Sequence, residues 1–343
     1  MPKINTIKSN KSVSNLHLSW QQQLSQAITE PEQLLQILHL KLEDFAQYNS
    51  ACQQFSLKIP HAYINKMQLG NPQDPLLLQV MAQSEEMQPV TGYHTDPVGD
   101  LNANKTPGLL HKYHGRVLLI TTGACAVHCR YCFRRHFPYP QQQAGREQWS
   151  GVINYIQQDS SIKEVILSGG DPLVLSDDKL DALITQLESI PHLTRLRIHS
   201  RLPVVLPDRI TNKLVNRLAI SRFNVCLVIH ANHANEITPL EIKALDKLKQ
   251  GNIHLLNQAV LLKGVNHLIV DQMDLSESLY NAGVLPYYLH LLDPVQGAAH
   301  FDVNLDDALN LIAQMQGNLP GYLVPKLVRE IAGEASKTPA NEL

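Results

Sequence analysis

Charge is scarce in this chain. Asp, Glu, Lys and Arg make up 17% of its 343 residues, and 29 basic side chains face 31 acidic ones, for a formal net charge of −2. That balance excludes a disordered polyelectrolyte and leaves no overall basic field for nucleic acid. Long apolar runs are missing too. No stretch approaches the ~18 apolar residues of a membrane span. The first 20 residues, MPKINTIKSNKSVSNLHLSW, lack the apolar core of a signal peptide. The expected location is cytoplasmic. Cysteine is limited to Cys52, Cys125, Cys129, Cys132 and Cys226. An odd number, three of them within eight positions, does not read as a secreted disulfide framework; in a reducing compartment it reads as a metal site.

Other residues are plentiful. Hydrophobic side chains reach 44%, enough for a large buried core. Sixteen His exceed what packing requires, and 20 Pro with 17 Gly imply many short elements. Residues 20–50 carry Leu24, Ile28, Leu34, Leu35, Leu38 and Leu42 at mostly helical spacing, with Pro31 at a helix start. A short helix is expected over 72–83 and an ordered crossing loop over 88–109. Then strand-like runs recur at 116–122, 164–168, 195–199, 223–229, 253–262 and 284–292, mostly about 30 residues apart, the length of a βα unit. Helical stretches fall between them, as at 177–190 and at 239–250, where Thr238 caps and Gly251 closes. This alternation argues for an α/β protein with a parallel sheet, doubly wound or barrel-like. Polar residues sit at one end of the runs: the Cys triplet, Ser168–Asp171, His199–Arg201, His230, Asn257 with Gln258, and Asp293. That placement favours a partial barrel with its mouth as the site. The expected organisation is a helical region over 1–110, the barrel over 111–320 and a C-terminal segment over 321–343.

The strongest motif is Cys125-Ala-Val-His-Cys129-Arg-Tyr-Cys132. Thiolates suit zinc or iron–sulfur clusters. Structural zinc needs four ligands, which His128 or His136 could complete. Three thiolates alone suit a [4Fe–4S] cluster with one iron open to a small molecule. Ser168-Gly169-Gly170-Asp171 reads as a tight turn or as backbone exposed to a ligand. Arg130, Arg134 and Arg135 read as a solvated basic stretch or as anion-binding forks, with Lys112 and Arg116 placed to hold a phosphate similarly. Lys337, near the end of the sequence, reads as a tail residue on composition alone.

The spacing CxxxCxxC after the first strand of a βα series is the signature of the radical S-adenosylmethionine (SAM) enzymes. Longer segments narrow this. RVLLITTGACAVHCRYCFRRHF (116–137), VILSGGDPLVLSDDKL (165–180), RIHSRLPVVLPDRIT (197–211), VIHANHANEIT (228–238), NQAVLLKGVN (257–266), YLHLLDPVQGAAHF (288–301) and SKTP (336–339) resemble the lysine 2,3-aminomutases. The chain lacks the zinc-binding Cys of the longer aminomutases, with Leu268 near one such place, and little follows SKTP. With HKYHGR (111–116) and LVREIAGEASKTP (327–339), it resembles the short aminomutases of elongation factor P β-lysylation.

The resemblance implies a partial (β/α)6 radical SAM barrel with an N-terminal helical extension and a short C-terminal strand and tail. It implies an isomerase that converts free (S)-α-lysine to (R)-β-lysine, using a 5′-deoxyadenosyl radical and a pyridoxal 5′-phosphate (PLP) imine. Cys125, Cys129 and Cys132 would hold the [4Fe–4S] cluster, and Lys337 the PLP. Arg116 and Lys112 would face the PLP phosphate. Ser168, Gly169, Gly170, Asp171, His230 and Gln258 would meet SAM. Arg134 would take the substrate carboxylate. Asp293 and Glu330, with Glu334 as a weaker substitute, would take the ε-ammonium. L-Lysine is then the small-molecule partner. An electron donor such as flavodoxin or ferredoxin and a functional link to the elongation factor P lysyl ligase follow, with no nucleic acid or membrane partner and a homo-oligomer left open. The alternatives are another PLP-dependent radical SAM aminomutase, acting for example on glutamate, a PLP-free radical enzyme, and a non-catalytic iron–sulfur or zinc module.

Overall fold

The computed structural model describes residues 18–45, 48–142 and 149–343. The expectation about a leader in the first residues falls mostly outside them. Ten strands form one open sheet in sequence order: β1 (Asn104–Thr106), β2 (Leu109–Tyr113), β3 (Arg116–Thr122), β4 (Glu164–Gly169), β5 (Arg195–Ser200), β6 (Asn224–Ile229), β7 (His254–Val260), β8 (Leu285–His290), β9 (Lys326–Arg329) and β10 (Thr338–Pro339). From β3 to β9 every pairing is parallel; β1, β2 and β10 pair antiparallel at the edges. The six expected strands are present, and β9 adds a seventh parallel one. Strands therefore lie on both sides of positions 110 and 320. The 88–109 loop ends in β1 and the start of β2, short strands whose polar sequence, NKT and then LLHKY, carries no clear alternation.

Each crossover helix covers one face of the sheet because strand side chains alternate. Leu196 and Ile198 of β5, and Val225, Leu227 and Ile229 of β6, pack with Leu180, Leu183, Leu214 and Leu245 in one core. The opposite face of β5 carries Arg197 and His199, and that of β6 carries Cys226 and Val228. Thr238 caps the helix Pro239–Gln250, as its sequence predicts, and Glu241 completes a capping box there. Gly251 closes it, but the left-handed residue there is Asn252, with φ 56°.

The N-terminal helices are shorter than their spacing suggests: Trp20–Ser25, Pro31–Ile37, Tyr48–Gln54, His61–Ile64 and Pro75–Leu78. Pro31 starts the second, and Pro75 follows the N-cap Asp74 in the last. This region packs onto the cysteine loop. Arg130 N donates to Gln79 O (2.9 Å) and His128 N to Lys58 O (3.0 Å). Glu86, 3% exposed, bonds Arg130 through both carboxylate oxygens (2.8 and 2.6 Å) and Arg135 at 2.7 Å. Arg130 and Arg135 are thus buried in a structural ion network, neither the solvated basic stretch nor the anion-binding forks expected from sequence. Removing one partner of a buried ion network leaves an uncompensated charge, which costs about 3–5 kcal/mol. Glu86→Ala is therefore expected to lower unfolding stability by about that much. Chemical denaturation checks this; a loss under about 1 kcal/mol would show that the cluster is not a structural lock.

Candidate active site

The cysteine loop follows β3. Glycines let β4 approach it: Gly169 has φ +121°, and a Cβ there would lie 2.5 Å from Thr122 O. At Gly170 a Cβ would collide with the carbonyl of Ala124. The backbone is stitched there by Gly170 N to Thr122 O and Asp171 N to Ala124 O, both 2.8 Å. Ser168-Gly169-Gly170 is therefore a close-packed seam beside the cysteines, which only residues without a side chain permit at its last two positions.

Among the described residues no three metal-ligating side chains meet at coordination distance. The three thiols share the loop and influence one another. Burial raises the pKa of the Cys125 thiol well above its usual value, with Cys132, Asp171 and Cys129 adding to it. Burial and Cys129 push Cys132 up to about 11. A cation stands against the set: Arg201 Nη1 lies 2.6 Å from Cys129 Sγ. His128 and His136, the candidates for a fourth zinc ligand, contact the carbonyl oxygens of Ser56 (2.8 Å) and Gln296 (3.1 Å) instead. A purely sulfur donor set next to a guanidinium fits an iron–sulfur cluster better than tetrahedral zinc.

Asp171 behaves as a brace. Its oxygens accept from Leu173 N (3.0 Å), Ser200 Oγ (2.8 Å), Arg201 N (2.8 Å) and Leu202 N (3.2 Å). Burial nevertheless raises its carboxyl to about 6. His230 follows β6, with Nε2 3.4 Å from Tyr131 Oη. Burial and Arg201 hold it neutral, down to about 3. Gln258 lies on β7 opposite Tyr288 of β8. Its neighbour Asn257 turns the other way and bonds both backbone groups of Ala231 (2.9 and 3.0 Å).

The other sequence-picked residues converge in a chain of alternating charge. Arg134 Nε donates to Asp100 Oδ2 (2.6 Å), and its Nη1 to Ser168 Oγ (3.2 Å). Asp100 Oδ1 pairs with Lys112 Nζ at 2.6 Å. Lys112 Nζ donates to Glu330 Oε1 (2.7 Å), and Lys337 Nζ to Glu330 Oε2 (2.7 Å). Burial opposes ionisation of Glu330, but Lys337 and Lys112 together hold it down to about 2. Lys337 is thus an anchored residue, beside the Tyr288 ring at 6.0 Å, and it immediately precedes β10, which pairs with β9. Glu334 is exposed. Arg116 stacks on Tyr113, 4.6 Å from the ring centroid.

Asp293 lies three residues beyond β8, past the strand end expected from sequence. Burial raises its carboxyl to about 7, with Glu330 raising it further and Lys337, Lys112 and Arg329 pulling it back. Among the described residues Asp293 Oδ1, Tyr113 Oη and His199 Nε2 are buried without a hydrogen-bond partner. Burial and nearby cations, Lys337 among them, hold His199 and His290 neutral. Orphaned polar atoms around a lysine are what a bound polar cofactor would satisfy, so the residues fit PLP with its substrate. Asp100, Glu86, Tyr113 and His290 escape sequence reading. Asp100 and Glu86 meet partners distant in sequence, and Tyr113 and His290 lie within the quoted segments 111–116 and 288–301 without being singled out there.

Residues 119–268 match the family model described as the radical SAM superfamily. The L-lysine 2,3-aminomutase of Haemophilus influenzae is 50% identical over 93% of this chain and 95% of its own length. That of Escherichia coli is 48% identical over 93% and 94%, and that of Clostridium subterminale 34% over 93% and 77%. Relatives this similar, matched over nearly their whole length, place the chain in the L-lysine 2,3-aminomutase family of radical SAM enzymes.

Proposed function

We propose that the protein converts free (S)-α-lysine to (R)-β-lysine, moving the amino group from C2 to C3. The observation that supports this most is the partly buried chain Arg134–Asp100–Lys112–Glu330–Lys337, which lies beside Asp293. It provides a cation for a carboxylate, an amine for PLP and carboxylates for a distal ammonium. Cys125, Cys129 and Cys132 would hold the [4Fe–4S] cluster. The seam Ser168–Asp171, His230 and Gln258 would border SAM, and Arg116 with Lys112 the PLP phosphate. When bound, the cluster with SAM supplies one-electron chemistry, and PLP a conjugated ring that delocalises charge and spin.

The chain's own residues position and exclude. Arg134 offers a buried fork for the substrate carboxylate, with its Nε held by Asp100. His199 and His290, kept neutral, add no cation to compete with the ammonium. Glu330, held ionised by Lys337 and Lys112, would supply one carboxylate for the ε-ammonium. Asp293 supplies the second carboxylate. Two unit charges 4 Å apart interact by about 4 kcal/mol at an effective dielectric near 20. Glutamate would meet two carboxylates and be repelled.

This sets a pH dependence. Asp293 near 7 must ionise to receive an ammonium, so lysine binding weakens below that pH. KM for lysine is expected to rise as pH falls from 8 to 6, approaching about tenfold per unit at the acid end. Asp293→Asn should flatten that profile and raise KM at pH 8 by about tenfold or more. Steady-state kinetics across pH, with iron and PLP occupancy measured in parallel, decide it; an unchanged profile in Asp293→Asn removes the assignment.

We further propose that the β-lysine serves elongation factor P modification through a separate ligase, in the cytoplasm, with a reduced flavodoxin or ferredoxin as electron source. The length match to the Haemophilus influenzae and Escherichia coli relatives and the segment 327–339 support it. The mass of elongation factor P, isolated from host cells with and without an active copy, tests it. A β-lysyl increment that persists without the active copy counts against it.

A further inference from the structure

Asp100 belongs to the Asp96–Asp100 turn, which the sequence shows only as part of a polar loop. Its backbone N donates to Asp96 Oδ1 at 2.9 Å. Gly99, at φ +68°, would bring a Cβ to 3.0 Å from Ala332 Cβ, so the turn lies against the segment that carries Lys337. Upstream, His94 N donates to Pro294 O (2.8 Å), and Gln296 N to His94 O (2.9 Å), which joins the same loop to the residues after Asp293. Val98 O accepts from Lys112 Nζ at 2.8 Å. Asp100 is 1% exposed and holds two cations, one on each oxygen, at 2.6 Å.

We propose that Asp100 is a positioning residue. It orients Arg134 toward the substrate carboxylate and ties that fork to Lys112, and through it to Glu330 and Lys337. The proposal rests on the reading of Arg134 and Lys337 above. The physical case is the bond to Nε. A guanidinium has five donors in a fixed plane, so anchoring Nε to a buried carboxylate fixes where the terminal nitrogens point. Ser168 takes Nη1 at 3.2 Å, which leaves the other edge of the fork to define the direction of approach. Without Asp100 the long side chain regains rotamer freedom, and ordering it must be repeated at each binding event. Lys112 keeps Glu330 and Val98 O as partners, so the Lys337 end of the chain should persist.

The test compares lysine with 1,5-diaminopentane, which has both amines and no carboxylate. The readout is the concentration of each that shifts the absorption band of PLP bound to the anaerobic, iron-loaded protein, with no turnover. Asp100→Asn is expected to weaken lysine at least tenfold and leave the diamine within about twofold, with iron content and borohydride labelling of Lys337 unchanged. Asp100→Glu keeps the charge one methylene away and should give a smaller loss, again for lysine alone. If Asp100→Asn does not fold, Asp100→Glu decides. Equal losses for both amines, or none for lysine, overturn the proposal. Failure of the unsubstituted protein to label at Lys337 would instead overturn the PLP reading, a separate outcome.

Discussion

Cys125→Ala, Cys129→Ala and Cys132→Ala should each lose bound iron and all lysine turnover, while Cys226→Ala keeps both. A cluster that leaves one iron open for SAM has three protein ligands and none to spare. All three thiols lie on the loop after β3, beside the Gly169–Gly170 seam, and Arg201 Nη1 contacts the middle one. Cys226 differs in place and surroundings. It sits mid-strand in β6, where burial pushes its thiol up to about 11, beside Arg197 and Glu164. It has no thiol partner within the loop's reach. Iron analysis and the broad cluster absorption near 400 nm, a wavelength typical of such clusters rather than of this chain, read the outcome directly. Retained activity in any of the three loop variants, or iron loss in Cys226→Ala, would falsify the ligand assignment.

Lys337→Ala should remove the borohydride-reducible PLP linkage and turnover but keep the iron of the unsubstituted protein. The cluster loop and Lys337 belong to different elements, β3–β4 on one side and β9–β10 on the other. Arg134 links the two through Asp100, Lys112 and Glu330. Loss of the ammonium leaves Glu330 with Lys112 as its cation, so the chain shortens by one member and does not leave a carboxylate unpaired. An amine held in place, as Lys337 is by Glu330 just before β10, would form the imine more readily than a freely moving one. Peptide mapping after reduction identifies the residue. Pyridoxyl mass on Lys326 or another lysine, with Lys337 unlabelled, contradicts the assignment.

Much of this architecture is legible in the sequence, and the reasons differ by residue. The strand runs stand out because each is short and apolar, with helical stretches between them, one of them opened by Thr238. CxxxCxxC is legible because one loop holds its members. The edge strands β1 and β2 are not, since three and five partly polar residues leave no periodic trace. Lys337 reads as a tail residue until β10 pairs with β9. Glu330 reads as a substrate ligand and is found between two lysines. Asp100 and Glu86 meet their arginines 34 to 49 positions away, a relation that only the folded chain reveals.

The central claim is lysine 2,3-amino migration that depends on both the cluster and PLP. Its most direct test is chiral amino-acid analysis of anaerobically reduced, iron- and PLP-loaded protein incubated with SAM and either L-lysine or L-glutamate. The account predicts (R)-β-lysine from lysine, none when SAM is omitted or when the protein is Lys337→Ala, and no β-glutamate. Efficient β-glutamate formation, or no β-lysine from fully loaded protein, would contradict it.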